Sequence, residues 1–221
     1  MKIFSKSEVP KVLVCCLVQT ERQGWVNPEL CQMLFKMGRD PRFNVEVANV
    51  KDAIPFEAAR NHTIKIARDY KFDWLISFDN DNFMPVGTPL DVIAAAGVQQ
   101  SVIGLSYGVK SHDSSYAMFP PRTNYKNDGA FLEVPAVGGG ILMVNRKVWE
   151  KIPTGPWFRW NPGTDTETLD RGNGGYGEDV HFCRLVQEKG FRVWTHRELM
   201  AGHYRTVDLT GMVCTMAGKS A

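Results

Sequence analysis

The chain has 221 residues, 43% of them hydrophobic and 11% aromatic, which is enough apolar material to fill the core of one domain and too much for a disordered chain. Its 26 basic and 24 acidic side chains leave a formal charge of +2, and they are scattered along the chain, so nothing in the charge indicates a nucleic-acid partner. The five cysteines (15, 16, 31, 183 and 214) include no C-x-x-C pair, which excludes a disulfide framework or a zinc knuckle and predicts reduced, mostly buried thiols in a cytoplasmic protein.

Short apolar runs alternate with helical patterns over the first 107 residues, as in βαβ units around a mostly parallel sheet. Lys11–Val18 reads as a strand buried on both faces. It is far shorter than the ~20 residues of a membrane span, and it leads into Gln19, Thr20, Glu21 and Arg22 instead of a small-residue cleavage site. Asn27-Pro28 starts a helix to about Gly38. Phe43–Val50 alternates as a second strand, and Phe56–Tyr70 reads as a helix with Ala59, Ile66 and Ala67 inward. Trp74–Phe78 is a third buried strand that runs into Asp79-Asn80-Asp81-Asn82. Thr88-Pro89 opens a capped helix to about Gln100, and Ser101–Tyr107 is a fourth strand.

Past residue 108 the pattern loosens. Residues 108–130 read as a long polar excursion, and strands at Phe131–Val134 and Gly140–Val144 flank Gly138-Gly139-Gly140. A short helix, Arg146–Ile152, follows. Pro153–Gly177 is rich in Gly, Pro and Asp without periodicity, which suggests a lid or binding loop. Glu178–Lys189 is a helix ended by Gly190 with Val180, Cys183, Val186 and Phe182 as candidates for its inner face, Phe191–Thr195 is a last strand, and the tail after Asp208 reads as weakly structured. Gly172-Asn173-Gly174-Gly175-Tyr176-Gly177 matches G-x-G-x-x-G formally, but no strand precedes it, so a dinucleotide fold is rejected.

Asp79-Asn80-Asp81 at a strand end carries the chemistry. Ligands bind at the carboxyl ends of strands in such sheets. Two carboxylates at i and i+2 converge on one hard cation, Mg²⁺ or Mn²⁺, that keeps positions open for substrate phosphates. A plain polar turn is the competing reading. Trp157, Phe158 and Trp160 suit stacking on a sugar or base, or packing of their loop onto the core.

With Ala59-Arg60-Asn61, the run Asp73-Trp74-Leu75-Ile76-Ser77-Phe78-Asp79-Asn80-Asp81 resembles the nucleotide-sugar half of a family-2-like GT-A glycosyltransferase of the small bacterial or phage type. Val137-Gly138-Gly139-Gly140-Ile141-Leu142-Met143, Arg146 and Pro156-Trp157-Phe158 are similar to that family's acceptor-side strand and loop. Gly177-Glu178-Asp179 resembles its acidic catalytic motif, and Gly202-His203-Tyr204 its late metal-binding histidine. The resemblance spans about residues 10–208 and implies one α/β domain over 1–221 with a mostly parallel central sheet flanked by helices. Residues 10–107 would be its nucleotide-sugar half, 108–208 its acceptor side, and 209–221 a loose tail.

The resemblance further implies a metal-dependent transfer from a nucleotide diphosphate sugar, most simply a UDP-sugar, to an acceptor hydroxyl. Asp79, Asp81 and His203 would hold the metal, Mn²⁺ or Mg²⁺. Gln19, Thr20, Glu21, Arg60, Asp79, Asn80, Gly139 and Gly140 would meet the nucleotide sugar, and Trp157, Phe158 and Trp160 the acceptor. Asp179 would act as general base if the reaction inverts, with Glu178 orienting the acceptor or a neighbouring main chain; a retaining relative would not need that base. Glycans, proteins and hydroxymethylated DNA bases are all acceptor classes of such enzymes. A DNA acceptor needs a basic rim, for which only Arg122, Lys126, Arg146, Lys147 and Arg159 offer a loose grouping. The rival readings are a non-catalytic glycan or nucleotide-sugar module, and a metal-dependent phosphoryl-transfer enzyme.

Overall fold

The computed structural model describes residues 9–18, 28–51, 55–110, 116–119, 126–160 and 177–203. Its centre is an eight-stranded sheet in the order β2-β1-β3-β10-β5-β11-β9-β8. In chain order these strands are β1 (Lys11–Val18), β2 (Asn44–Lys51), β3 (Trp74–Asp79), β5 (Val102–Gly104), β8 (Asn127–Asp128), β9 (Phe131–Glu133), β10 (Ile141–Asn145) and β11 (Val193–His196). β10 and β9 run against the rest, so six of the eight strands share one direction and the sheet is mostly parallel.

Both faces of the sheet are covered, which is why β1 carries no polar alternation. Its residues divide by parity. Leu13 and Cys15 join the cluster under α2 (Phe56–Asp69), α4 (Arg146–Lys151) and α5 (Glu178–Glu188), while Val12 and Val14 join the cluster under α1 (Pro28–Gly38) and α3 (Pro89–Ala95). On the second face Leu30, Met33 and Met37 of α1 share one face of the helix and are buried. Each fully buried side chain of this size contributes about 1.5–3 kcal/mol relative to exposure.

The helix signals hold where they have a mechanism. Pro89 stands at the start of α3, and the Asp91 carboxylate accepts the Thr88 backbone N–H at 2.8 Å. This helix stops at Ala95, earlier than Gln100, because the chain turns at Gly97, whose N–H donates to the Gln100 side chain. Gly190, at φ +87°, closes α5 as expected. In α2 the core takes Ala59, Ile64 and Ala67, and Ile66 only packs against its edge.

The expected strand at residues 101–107 is interrupted. β5 ends at Gly104, Ser106 bridges to Met200, and Tyr107 begins β6 (Tyr107–Lys110), which forms a hairpin with β7 (Tyr116–Phe119). Two short elements absent from the sequence reading matter most for the site. The chain leaves β3 at Asp79, turns, and forms β4 (Asn82–Phe83), which pairs with β12 (Gly202–His203) so that His203 stands opposite Asn82. Among the described residues no helix is long and apolar enough to cross a membrane.

Candidate active site

Four segments meet at the carboxyl end of β3: the Asp79–Asn82 turn, the Gly138–Gly140 run before β10, the first turn of α5, and β12. Asp79 is pinned by two contacts. Its backbone N–H donates to the Gly140 carbonyl at 3.0 Å, and its carboxylate accepts from Arg60 Nη2 at 2.9 and 3.1 Å. Arg60, only 3% exposed, also donates from Nε to Glu178 at 3.2 Å and from Nη1 to the Gly139 carbonyl at 3.0 Å and Ser77 Oγ at 3.4 Å. Burial opposes the guanidinium charge, and the carboxylates of Asp79, Glu178 and Asp179 outweigh it and raise its pKa. Burial pushes the Asp79 carboxyl up, Arg60 pulls it down, and Asp81 and Glu178 add to the upward push.

Asp81 points the other way. Its Oδ2 lies 3.0 Å from His203 Nε2, and its Oδ1 accepts from Asn82 Nδ2 at 2.7 Å. Burial works against this carboxylate, but the His203 and Asn82 contacts prevail and hold its pKa below the ordinary value. His203 Nδ1 and Asn82 Oδ1 are buried without hydrogen-bond partners. The two aspartates are therefore not equivalent: Asp79 is tied to Arg60, and Asp81 is paired with an imidazole. Among the described residues no group of three His, Cys, Asp or Glu forms a ready cage. The Asp81–His203 pair nonetheless offers a carboxylate oxygen and an imidazole nitrogen side by side, a mixed donor set that suits Mn²⁺, supplemented by substrate oxygens, better than the all-oxygen preference of Mg²⁺.

Glu178 and Asp179 occupy the first turn of α5, where negative charge also suits the helix N-terminus. Glu178 faces Arg60. Asp179 accepts from the Gly139 N–H at 3.3 Å and the Val180 N–H at 2.8 Å. Burial first, and then the neighbouring Glu178 charge, raise the pKa of Asp179.

The three glycines are bare because side chains of the protein itself fill the space beside them. A Cβ on Gly138 would lie 2.0 Å from the Tyr107 hydroxyl, one on Gly139 2.3 Å from Arg60 Nη2, and one on Gly140 2.6 Å from Asn82 Oδ1. Tyr107, which the sequence did not single out, stacks edge-on against His203 at 5.5 Å. Burial raises its phenol pKa, helped by the charges of Asp179 and Asp79.

Trp157 and Phe158 are core residues. Trp157 is 5% exposed and donates Nε1–H to the Ile152 carbonyl, and Phe158 stacks on Phe182 at 4.5 Å. Asn61 fixes this segment by accepting from the Trp157 and Phe158 N–H groups and donating to the Phe158 carbonyl. Of the three expected acceptor aromatics only Trp160, 37% exposed, reaches the surface. Asn80 sits half-buried in the turn. Gln19, Thr20 and Glu21, the glycine-rich stretch 172–176 and the tail lie outside the described residues.

No protein-family model matches the chain, and no curated protein matches it. Solved structures do. Protein A197 from STIV superposes with a TM-score of 0.59 at 19% identity, over 89% of this chain and 86% of that one. GalNAc-T7 with UDP, GalNAc and Mn²⁺ follows at 0.52 and 13%, over 92% of this chain, which spans 45% of the larger protein. A Drosophila β1,4-galactosyltransferase 7 mutant with manganese, UDP-Gal and xylobiose gives 0.50 and 14%, over 90% and 72%. At these identities the likeness establishes the fold: a mixed α/β arrangement of the GT-A type, with a mostly parallel central sheet flanked by helices.

Proposed function

We propose that this protein is a metal-dependent glycosyltransferase that moves a sugar from a nucleoside diphosphate sugar, most simply a UDP-sugar, to an acceptor hydroxyl with inversion at the anomeric carbon. The observation that carries the reading is the convergence, on one end of the sheet, of two acidic groups with different partners: Asp81 beside His203, and Asp179 on the main chain of Gly139. The fold shared with proteins crystallised with UDP and manganese supports the donor class.

Asp81 and His203 would hold Mn²⁺ or Mg²⁺, with Asp79 beside them. A cation there supplies charge neutralisation for the departing diphosphate. The chain's own residues do the rest. Asp179 takes the proton of the acceptor hydroxyl as its oxygen bonds to the anomeric carbon, while the bond from that carbon to the diphosphate oxygen breaks and its electron pair leaves with the diphosphate. A raised pKa makes Asp179 a stronger base than an ordinary surface carboxylate. The Gly139 and Val180 N–H groups fix its orientation. Gln19, Thr20 and Glu21, following β1, are assigned to the nucleotide, and Trp160 to the acceptor side.

The test is a panel of UDP-, GDP- and dTDP-sugars incubated with the protein and Mn²⁺, with released nucleoside diphosphate measured before and after adding acceptors. Metal-dependent release from one donor class supports the reading. Cleavage of phosphodiesters without such release would favour phosphoryl transfer and overturn it.

A further inference from the structure

Arg60 lies on α2, on the buried side of the helix, yet none of the three residues it pairs or bonds with through side chains is on its own element: Ser77 and Asp79 are on β3 and Glu178 is on α5. A guanidinium has three nitrogens carrying five N–H donors and no acceptor. Here every nitrogen is committed to the protein: Nε to Glu178, Nη1 to Gly139 and Ser77, Nη2 to both oxygens of Asp79. With 3% of its surface exposed, Arg60 has little capacity left for a phosphate or a base.

On the glycosyltransferase reading above, we propose that Arg60 is a positioning residue that clamps the donor-side carboxylate Asp79 to the acceptor-side residue Glu178, and is not a nucleotide ligand. The planar fork makes this possible, since one group serves two carboxylates and a main-chain carbonyl at fixed angles. Three consequences follow from the geometry. The strand end that carries Asp79 and the helix that carries Asp179 are held at one spacing. Glu178 is occupied as the counter-charge of Arg60, which leaves Asp179 as the carboxylate of the pair available to an acceptor. Gly139 must lack a side chain, because a Cβ there would sit 2.3 Å from Nη2, 2.5 Å from Cζ and 2.9 Å from Nη1 of Arg60.

The experiment has two arms that fail separately. In the first, Arg60→Lys keeps the charge and loses the fork. We expect kcat for UDP release from the UDP-sugar to fall by about 100-fold, the effect of a misplacement of about 1 Å, while the Kd for UDP with Mn²⁺ and the donor KM move by less than about 3-fold, since uniform binding is untouched. Gly139→Ala, which crowds the same guanidinium without altering charge, should give the same split. A raised KM and Kd with intact kcat would make Arg60 a substrate contact and overturn the clamp.

The second arm needs no turnover. Thermal unfolding of Arg60→Met, Glu178→Gln and the double variant should be non-additive, because Glu178→Gln removes an unpaired, partly buried carboxylate once the arginine is gone. If Arg60→Met does not fold, Arg60→Lys replaces it in the cycle. Additive effects would overturn the clamp. A wild-type protein that turns over no nucleotide sugar but shows the coupling would sink the glycosyltransferase reading and leave the clamp standing.

Discussion

Tyr107 fills the place where a side chain on Gly138 would be: an added Cβ would lie 2.0 Å from its hydroxyl oxygen and 2.7 Å from two ring carbons. The same ring meets His203 edge-on, so a side chain at Gly138 that displaces Tyr107 should disturb the histidine as well. Gly138→Ala should lower stability by about 1–3 kcal/mol, the range for overpacking, and weaken metal-dependent nucleotide binding. Tyr107→Phe in the same chain removes the closest clash and should recover part of both. Calorimetric melting and titration with UDP and Mn²⁺ check this; an unchanged melting temperature in Gly138→Ala would contradict it.

Asn61 replaces a strand partner for the chain at Trp157 and Phe158, making three hydrogen bonds to their main chain. Asn61→Ala leaves those buried groups unmatched and should cost about 1–3 kcal/mol for the unsatisfied polar groups. The fluorescence of Trp157, now buried, should shift to the red as its loop loosens. Loss of stability below about 0.5 kcal/mol, the level of an ordinary surface change, would show that the loop is held by its aromatic packing alone.

Asp179 gives a prediction in both rate and stability. Its pKa is raised in the folded protein by burial and by Glu178, so the carboxylate protonates, and activity falls, above the ~3.9 of a free aspartate as pH is lowered. The sign for stability is opposite to that of a salt-bridged acid: folding gains as pH falls through the raised value, until the unfolded chain also protonates near ~3.9. Asp179→Asn should therefore lose about 10²–10⁴-fold in turnover and melt no lower than wild type at pH 7. A variant with most of its turnover retained would point to a retaining reaction or a structural aspartate.

The cysteines differ in reach. Cys15, Cys16 and Cys183 are buried, and burial pushes their thiols up to about 12, about 11 and about 12, with Cys16 adding to the first and Cys31 to the second. Cys31 is exposed on α1. Peptide mapping after brief treatment with a maleimide at pH 7.5 should find Cys31 labelled in the native protein and the three buried thiols labelled only after denaturation. Native labelling of Cys15 or Cys16 at the rate of Cys31 would contradict the packing of β1.

The strands and helices whose periodicity is long were legible from the sequence, and so was the acidic turn, because a run such as Trp74–Phe78 that is buried throughout and then meets Asp79 has reached the sheet's carboxyl edge. Two things were not legible. β4 and β12 have two residues each, too few to show any period, and their pairing alone brings His203 to Asp81. From the sequence Arg60 is expected to meet the nucleotide sugar, because nothing on α2 itself tells that carboxylates arriving from β3 and α5 will pair with its guanidinium and make its burial favourable. In the same way nothing in the glycine triplet tells that Tyr107, Arg60 and Asn82 fill the space beside it. Trp157 and Phe158 read equally well as stacking platforms because an aromatic suits a core and a sugar alike.

The most direct test of the account is calorimetric titration of UDP into the wild-type protein and into Asp81→Ala and His203→Ala, each with Mn²⁺ and with EDTA. Asp81 Oδ2 and His203 Nε2, 3.0 Å apart, are the two donors proposed to hold the cation. Wild type should bind UDP with Mn²⁺ and lose at least ~10-fold in affinity in EDTA. Each variant should show that weakened affinity whether or not the metal is present, a loss no smaller than that for removing an outer-shell partner. Equal UDP affinity in all three proteins, with and without metal, would contradict the assignment of this site.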